Sequence, residues 1–277
     1  MTFCCLNGKL LKIDEAKLSP FDNGFLYGDG IYDTMRSYKG KILELDLHMA
    51  RIKKSTDQIG ITLPWNLDEI QKWSMQLADI HKEKDMRVRV TITRGEHGFD
   101  FSKNPSQPTL FITVEAIDIP KSIYTKGVTA ETQVLHRIMH GIKTLGLTHM
   151  IIAYRYAAQK KLYEIILIDK DGTVREGAST NLFVIRNNII YTPKNKILPG
   201  LTRARIITLA RKNKIKVVVK DFNKKFLQQA DEIFLSNRPR EVIPVTTLNS
   251  KNVGDGTVGS ITKQIMKFYT QYVKSSL

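Results

Sequence analysis

Four short segments carry residue types that can do chemistry. Lys143 stands in Gly141-Ile142-Lys143-Thr144-Leu145, directly ahead of a helical pattern, and Glu176 stands in Val174-Arg175-Glu176-Gly177-Ala178-Ser179-Thr180-Asn181. Ile197-Leu198-Pro199-Gly200-Leu201-Thr202-Arg203 opens a second helical pattern, and Glu232 to Asn237 is followed by Glu241-Val242-Ile243-Pro244-Val245. An amine such as that of Lys143 can act as nucleophile and then as general base. Ser179, Thr180 and Asn181 can orient the neighbouring Glu176 or simply cap a turn. The first N–H groups of a helix at Leu201 and Thr202, with the threonine hydroxyl, favour an anion. Each signal is weak alone, because most of the 43 lysines and arginines must be solvated charges. Their combination in this order is specific.

The elements that must position these residues follow from local pattern. Phe3 to Leu6 and Lys9 to Ile13 flank Asn7-Gly8, a hairpin signal. Gly24 to Gly30 reads as a glycine-dense turn before a strand over 31–38. Helices are expected over 46–60, with Leu47 and Ile52 on the apolar side, and over 67–82, with strands over 86–93 and 109–116. Ile119-Pro120-Lys121-Ser122 marks a boundary. Beyond it come a strand over 127–134, a helix over 149–161 with Ile152 and Tyr156 facing a core, and a meander of 163–168, 173–175, 181–185 and 189–192. A helix from 201, strands at 216–219 and 232–235 and a helix over 261–273 complete the chain. Hairpins dominate, so the expectation is two α+β domains, 1–118 and 127–277, joined by a linker over 119–126. The larger C-terminal domain would carry Lys143, with a cleft between the two.

Composition limits the function classes. A chain of 277 residues, 42% hydrophobic and 25% charged, is that of a globular protein. No apolar run reaches membrane-spanning length, Met150 to Ala158 being broken by Arg155, and the N-terminus does not read as a signal peptide. Cys4 and Cys5 are neighbours that a strand would point to opposite faces, so neither a disulfide nor a zinc site is expected and a reducing cytoplasm is the simplest compartment. The net charge of +16 admits a non-enzymatic alternative, a basic nucleic-acid-binding protein. The lysines are spread along the chain without an aromatic-rich module, however, and positive charge also steers small anions.

The four segments, with Tyr27-Gly28-Asp29-Gly30-Ile31-Tyr32-Asp33 and His48-Met49-Ala50-Arg51-Ile52, resemble the fold-type IV enzymes that depend on pyridoxal 5'-phosphate (PLP). That family includes branched-chain aminotransferases, D-amino acid aminotransferases and 4-amino-4-deoxychorismate lyases. The resemblance covers almost the whole chain and implies an α+β, two-domain fold-type IV architecture. It implies that Lys143 forms the Schiff base with PLP and that Glu176 keeps the pyridine nitrogen protonated, so that the ring remains an electron sink. By the same resemblance Arg51, Leu201 and Thr202 hold the phosphate, Leu198 packs under the ring, and Tyr32 lies near the phenolic oxygen. Ser179, Thr180 and Asn181 would orient Glu176. Asn237 and Arg238 occupy a phosphate loop where many relatives carry Gly-Thr or Ser-Thr, and Gly146 stands where many carry Asn. Relatives form homodimers with the site near the subunit contact, which makes a homodimer the expectation here.

The substrate is less determined. D-amino acid aminotransferases often carry Arg-Gly-x-x-x-Arg-x-His in the loop that traps the substrate carboxylate. Here Arg94-Gly95-Glu96-His97-Gly98-Phe99-Asp100-Phe101 lacks the second arginine and the histidine. That loop, Asn237, and Thr34-Met35-Arg36 resemble the lyases more closely. The leading expectation is therefore elimination of pyruvate from 4-amino-4-deoxychorismate to give 4-aminobenzoate, a folate precursor. D-amino acid aminotransferase, or a broad-specificity transaminase, is the alternative. In each case the substrate is a small anionic amino compound, and Thr34, Arg36, Arg94 and His97 are the candidate contacts.

Overall fold

The computed structural model describes residues 2–82, 84–96, 100–101, 107–135 and 139–277. The chain divides into two compact units, one of Met1–Asp118, Ile142–Gly146 and Ser276–Leu277, the other of Ile119–Gly141 and Leu147–Ser275.

The first unit contains strands β1 (Phe3–Leu6), β2 (Lys9–Lys12), β3 (Gly30–Tyr38), β4 (Lys41–Ile42), β5 (Met86–Thr93) and β6 (Thr109–Ala116), with helices α1 (Asn23–Tyr27), α2 (Leu45–Gln58) and α3 (Leu67–Ile80). Its sheet is antiparallel in the order β2-β1-β6-β5-β3-β4. Strict alternation puts Val88, Val90 and Ile92 of β5 and Leu110, Ile112 and Val114 of β6 in a core with Met49 and Ile52 of α2 and Ile70 and Leu77 of α3. Each such side chain contributes about 1.5–3 kcal/mol on burial. The opposite face is polar, with Tyr32, Thr34 and Arg36 of β3 beside Thr91, Arg89 and Arg87 of β5. The buried side of α2 is His48, Met49, Ile52, Ser55 and Thr56, whereas Leu47, expected on the apolar side, is exposed. Of its polar members His48 serves a charged group on β3, and Thr56 donates to the Ile52 and Lys53 carbonyls of its own helix. Cys4 and Cys5 are buried free thiols in β1, and burial pushes the Cys5 thiol up to about 11.

Lys143 belongs to this first unit, not to the C-terminal one as expected. The Tyr32 N–H donates to the Lys143 carbonyl at 2.8 Å and the Leu145 N–H to the Gly30 carbonyl at 3.0 Å, while Ile31 and Thr144 form an antiparallel bridge. The segment thus runs along β3 as a short added strand. Gly30 permits this close packing, because a Cβ there would lie 2.8 Å from Leu145 Cδ1.

The second unit contains α4 (Ser122–Thr125), β7 (Val128–Val134), α5 (Thr148–Gln159), β8 (Glu164–Ile168), β9 (Val174–Gly177), β10 (Asn181–Arg186), β11 (Ile189–Thr192), α6 (Leu201–Lys212), β12 (Val217–Val219), α7 (Lys224–Gln228), β13 (Glu232–Asn237), β14 (Glu241–Leu248), β15 (Lys251–Asn252) and α8 (Ser260–Ser276). The sheet order is β12-β11-β10-β13-β14-β7-β8-β9, with β15 on β14. Pairing is parallel at β11–β12, β14–β7 and β7–β8. The expected meander is broken: β8 and β9 form a hairpin, but β10 pairs with β11 and β13 instead of β9. The bend over Ala178–Thr180 causes this, and it also delivers Asn181 to Glu176. In α5 the buried residues are Ala153 and Ala157, whose small side chains let the helix lie close on the sheet, and Ile152 is exposed instead. Among the described residues no helix is long and apolar enough to cross a membrane, and no group of acidic, histidine and cysteine residues could hold a metal ion.

Candidate active site

In the first unit the residues converge on Tyr32, which is buried on β3. The added strand holds the Lys143 Nζ 4.7 Å from the centre of the Tyr32 ring. Arg89, opposite Thr34 in the register, holds its guanidinium 4.2 Å from the same centre and donates from Nε to Thr91 Oγ1 at 3.2 Å. Burial lowers the Arg89 pKa from the ordinary arginine value, with the Tyr32 hydroxyl and Glu115 opposing. Two cations on one aromatic ring, on the polar face of a sheet, suit an anionic reactant.

On the other side of β3, Asp33 is buried and bidentate to Arg51, at 2.7 Å to Nε and 2.8 Å to Nη2, and lies 2.8 Å from His48 Nδ1. Burial alone would raise the Asp33 carboxyl, but Arg51 and His48 outweigh it and hold the group well below the usual carboxylate range. The pair fixes Arg51 on α2 with its Nη1 edge turned away from Asp33, which is the geometry an arginine needs to meet a second anion.

In the second unit Glu176 is buried on β9, and its Oε2 accepts from Asn181 Nδ2 and from the Leu198 N–H, each at 3.0 Å. Asn181 Nδ2 also donates to the Leu198 carbonyl at 2.9 Å, so Leu198 is fixed through its backbone. Gly200 caps α6, and a Cβ there would lie 2.0 Å from Asn181 Oδ1, so only glycine lets the helix start this close to the carboxylate. Thr202 Oγ1, in the first turn of α6, is buried without a hydrogen-bond partner. Ser236 Oγ on β13, in register with Asn181, is likewise buried and unpartnered. Two orphaned hydroxyls beside a helix N-terminus are expensive in the protein alone and fit an anion such as the phosphate of PLP. A buried carboxylate fixed by two N–H donors fits a protonated ring nitrogen, so these residues suit the cofactor expected from the sequence.

The remaining candidates have local roles. Ser179 and Thr180 turn from Glu176 to Glu164: the Ser179 and Thr180 hydroxyls donate to Glu164 Oε2 at 3.1 Å each. Burial raises the Glu164 pKa. Asn237 Oδ1 accepts the Arg240 N–H at 2.9 Å and caps the turn, and Arg238 is buried with Nη1 3.3 Å from the Tyr269 hydroxyl. Arg94 is fully engaged, to Asp29 at 2.6 Å and to the Gly60 and Ile59 carbonyls at 3.1 and 2.6 Å, which argues against its expected place as a substrate contact. Arg36 pairs with Asp85 at 2.7 Å and covers Tyr38 instead of approaching Lys143. Thr34 lies on the Tyr32 face, whereas His97 falls outside the described residues. Sequence reading missed Arg89, Asp33, Ser236 and Glu164. Glu164 had a usable signal, being an acid at the head of the continuous apolar run Ile165 to Ile168.

Comparison with known proteins follows the same lines. The amino-transferase class IV family matches residues 30–248. A D-alanine aminotransferase of Staphylococcus epidermidis is 32% identical over 280 residues, 99% of each chain. One from Bacillus licheniformis is 32% identical over 266 residues, 94% of this chain and 93% of its own. Among solved structures, the branched-chain amino acid aminotransferase of Escherichia coli superposes with a TM-score of 0.91 at 23% identity, covering 97% of this chain and 93% of the other. The 4-amino-4-deoxychorismate lyase of Pseudomonas aeruginosa gives 0.83 at 21% identity, covering 95% and 97%, and like the previous match it shows the fold. With a family match over most of its length and relatives of this identity along its whole length, the chain belongs to the class IV aminotransferases.

Proposed function

We propose that this class IV PLP enzyme is a D-amino acid aminotransferase, which moves an amino group between a D-amino acid such as D-alanine and a 2-oxo acid. The observation that carries the reading is the 32% identity to D-alanine aminotransferase over 99% of both chains. The leading expectation from sequence was the lyase, and the support for it is weaker. Its named neighbour shares only the fold at 21% identity, and Asn237, taken as a lyase signal, is accounted for by capping the turn at Arg240.

PLP supplies an electron sink for a carbanion at the substrate's α-carbon. Lys143 would hold the cofactor through its amine and, when that amine is free, would carry the proton as general base and acid. Tyr32, against which its Nζ rests, limits where the freed amine can swing. Glu176, fixed by Asn181 and the Leu198 N–H, keeps its negative charge at the ring nitrogen. Thr202, Ser236 and the α6 N-terminus are the phosphate donors of the second unit, and in the first unit the Nη1 edge of Arg51 is turned to an anion. Arg89 takes the substrate carboxylate, in place of the arginine and histidine missing from the Arg94–Phe101 loop. Exposed Leu18, Phe21, Phe25 and Leu26 around α1 provide an apolar surface for a homodimer contact.

Steady-state assays on PLP-loaded protein decide between the reactions. D-alanine with 2-oxoglutarate is expected to give pyruvate, with L-alanine at least tenfold slower. Release of 4-aminobenzoate from 4-amino-4-deoxychorismate without D-alanine turnover would establish the lyase instead.

A further inference from the structure

The turn between β13 and β14 carries a second arginine that the reaction above does not use. Strands β14, β7 and β8 are mutually parallel and so begin at one end of the sheet. There Arg240, just ahead of β14, meets Tyr163, just ahead of β8, and Tyr124 of α4. Its guanidinium lies 5.3 Å from the centre of the Tyr163 ring, with the Tyr154 hydroxyl close enough to favour its charged form. Its carbonyl accepts from the Tyr124 hydroxyl at 3.1 Å, and its N–H is held by Asn237. The position is thus fixed, and although burial alone would lower the Arg240 pKa, Tyr163, Tyr154 and Glu164 outweigh it and raise it, so the charge is kept without a carboxylate in ion-pair contact among the described residues. Arg36, Arg51, Arg94 and Arg175 each have such a partner.

The acid nearest in the network is Glu164, and its oxygens are taken up by the Ile165 and Ser179 N–H groups and the Ser179 and Thr180 hydroxyls. The Tyr163 hydroxyl is buried with no hydrogen-bond partner. Burial pushes its pKa up to about 12, so it stays a donor at neutral pH. An unanswered buried hydroxyl is costly for the protein alone, and the Arg240 guanidinium lies beside its ring. Together they are the donor set that a carboxylate takes. The place adjoins the cofactor residues of this unit, since Ser179 joins Tyr154 to Glu164 and Ser236-Asn237 lead into the turn.

We propose that Arg240 and Tyr163 form an anion subsite for a second, distal carboxylate of the substrate, so that dicarboxylic amino and 2-oxo acids are preferred to monocarboxylic ones. This rests on the aminotransferase reading. The competing role is structural, a stack of arginine on tyrosine that only holds the turn.

Calorimetric titration of the PLP-loaded protein with glutarate and with pentanoate separates the two without turnover. These probes match in length and differ by one carboxylate. Glutarate is expected to bind more tightly than pentanoate to the wild type. Arg240→Met should weaken glutarate roughly 10- to 100-fold, the loss typical of one charge-assisted contact, and at least tenfold more than it weakens pentanoate. Tyr163→Phe is the decisive variant, because it keeps the ring under the guanidinium and removes a hydroxyl that no protein group uses. It should weaken glutarate roughly fivefold or more. Wild-type glutarate affinity in Tyr163→Phe, or equal losses for both probes in Arg240→Met, would overturn the subsite. Absence of D-alanine turnover with the glutarate preference intact would instead count against the aminotransferase reading alone.

Discussion

Replacing Thr202 with valine is expected to move stability and cofactor affinity in opposite directions. The side chains are nearly equal in volume, and Oγ1 has no hydrogen-bond partner in the protein while being fully enclosed at the start of α6. An unpaired buried hydroxyl costs about 1–3 kcal/mol, so its removal from the apoprotein should be neutral or stabilising by up to ~1 kcal/mol. A hydroxyl donating to a charged phosphate is worth about 1.5–3 kcal/mol, so PLP should dissociate roughly 10- to 150-fold more readily. Urea unfolding of the apoprotein and a spectroscopic PLP titration give the two numbers on one preparation. Apoprotein destabilisation of more than about 1 kcal/mol, with PLP affinity unchanged, would show that the hydroxyl serves the fold and would refute the phosphate assignment.

Asp33→Asn should destabilise the protein by about 3–5 kcal/mol in urea unfolding, because it leaves Arg51 without its buried counter-charge. The Asp33 pKa is depressed in the folded state, so its stabilisation is fully present above the unfolded value near pH 4 and is lost as pH falls below it towards the folded pKa. The gap in unfolding free energy between wild type and Asp33→Asn should therefore narrow in acid. Glu176→Gln keeps acceptors for Asn181 and Leu198 but removes the charge, so kcat should fall on the order of 100-fold while PLP stays bound, and a kcat within threefold of wild type would contradict its role. Arg89→Met should lower kcat/KM for D-alanine roughly 10- to 100-fold, mainly through KM, as read from initial rates.

The sequence made some parts of this arrangement legible and hid others for physical reasons. β5 and β6 alternate strictly and were readable, as was the helix beginning at Leu201 after Pro199-Gly200. The buried side of α2 was not, because His48 and Thr56 take places that an apolar pattern would fill, His48 in service of Asp33 and Thr56 bonded to the Ile52 and Lys53 carbonyls of its own helix. The β10 pairing was hidden because hydrophobic pattern locates a strand but not its neighbour, and the bend at Ala178–Thr180 sends the chain across the sheet. Lys143, Glu176 and Thr202 stand out by their motifs. Arg89 was not, because the alternation that puts it opposite Val88 and Val90 does not say whether the polar face meets solvent or substrate.

The central claim is that Lys143 carries PLP, and the most direct measurement is borohydride reduction of the PLP-loaded protein followed by proteolysis and mass spectrometry. The expected result is a phosphopyridoxyl mass on the peptide containing Lys143, absent in Lys143→Ala. A label on another lysine, or none in a protein that has taken up PLP, would contradict it.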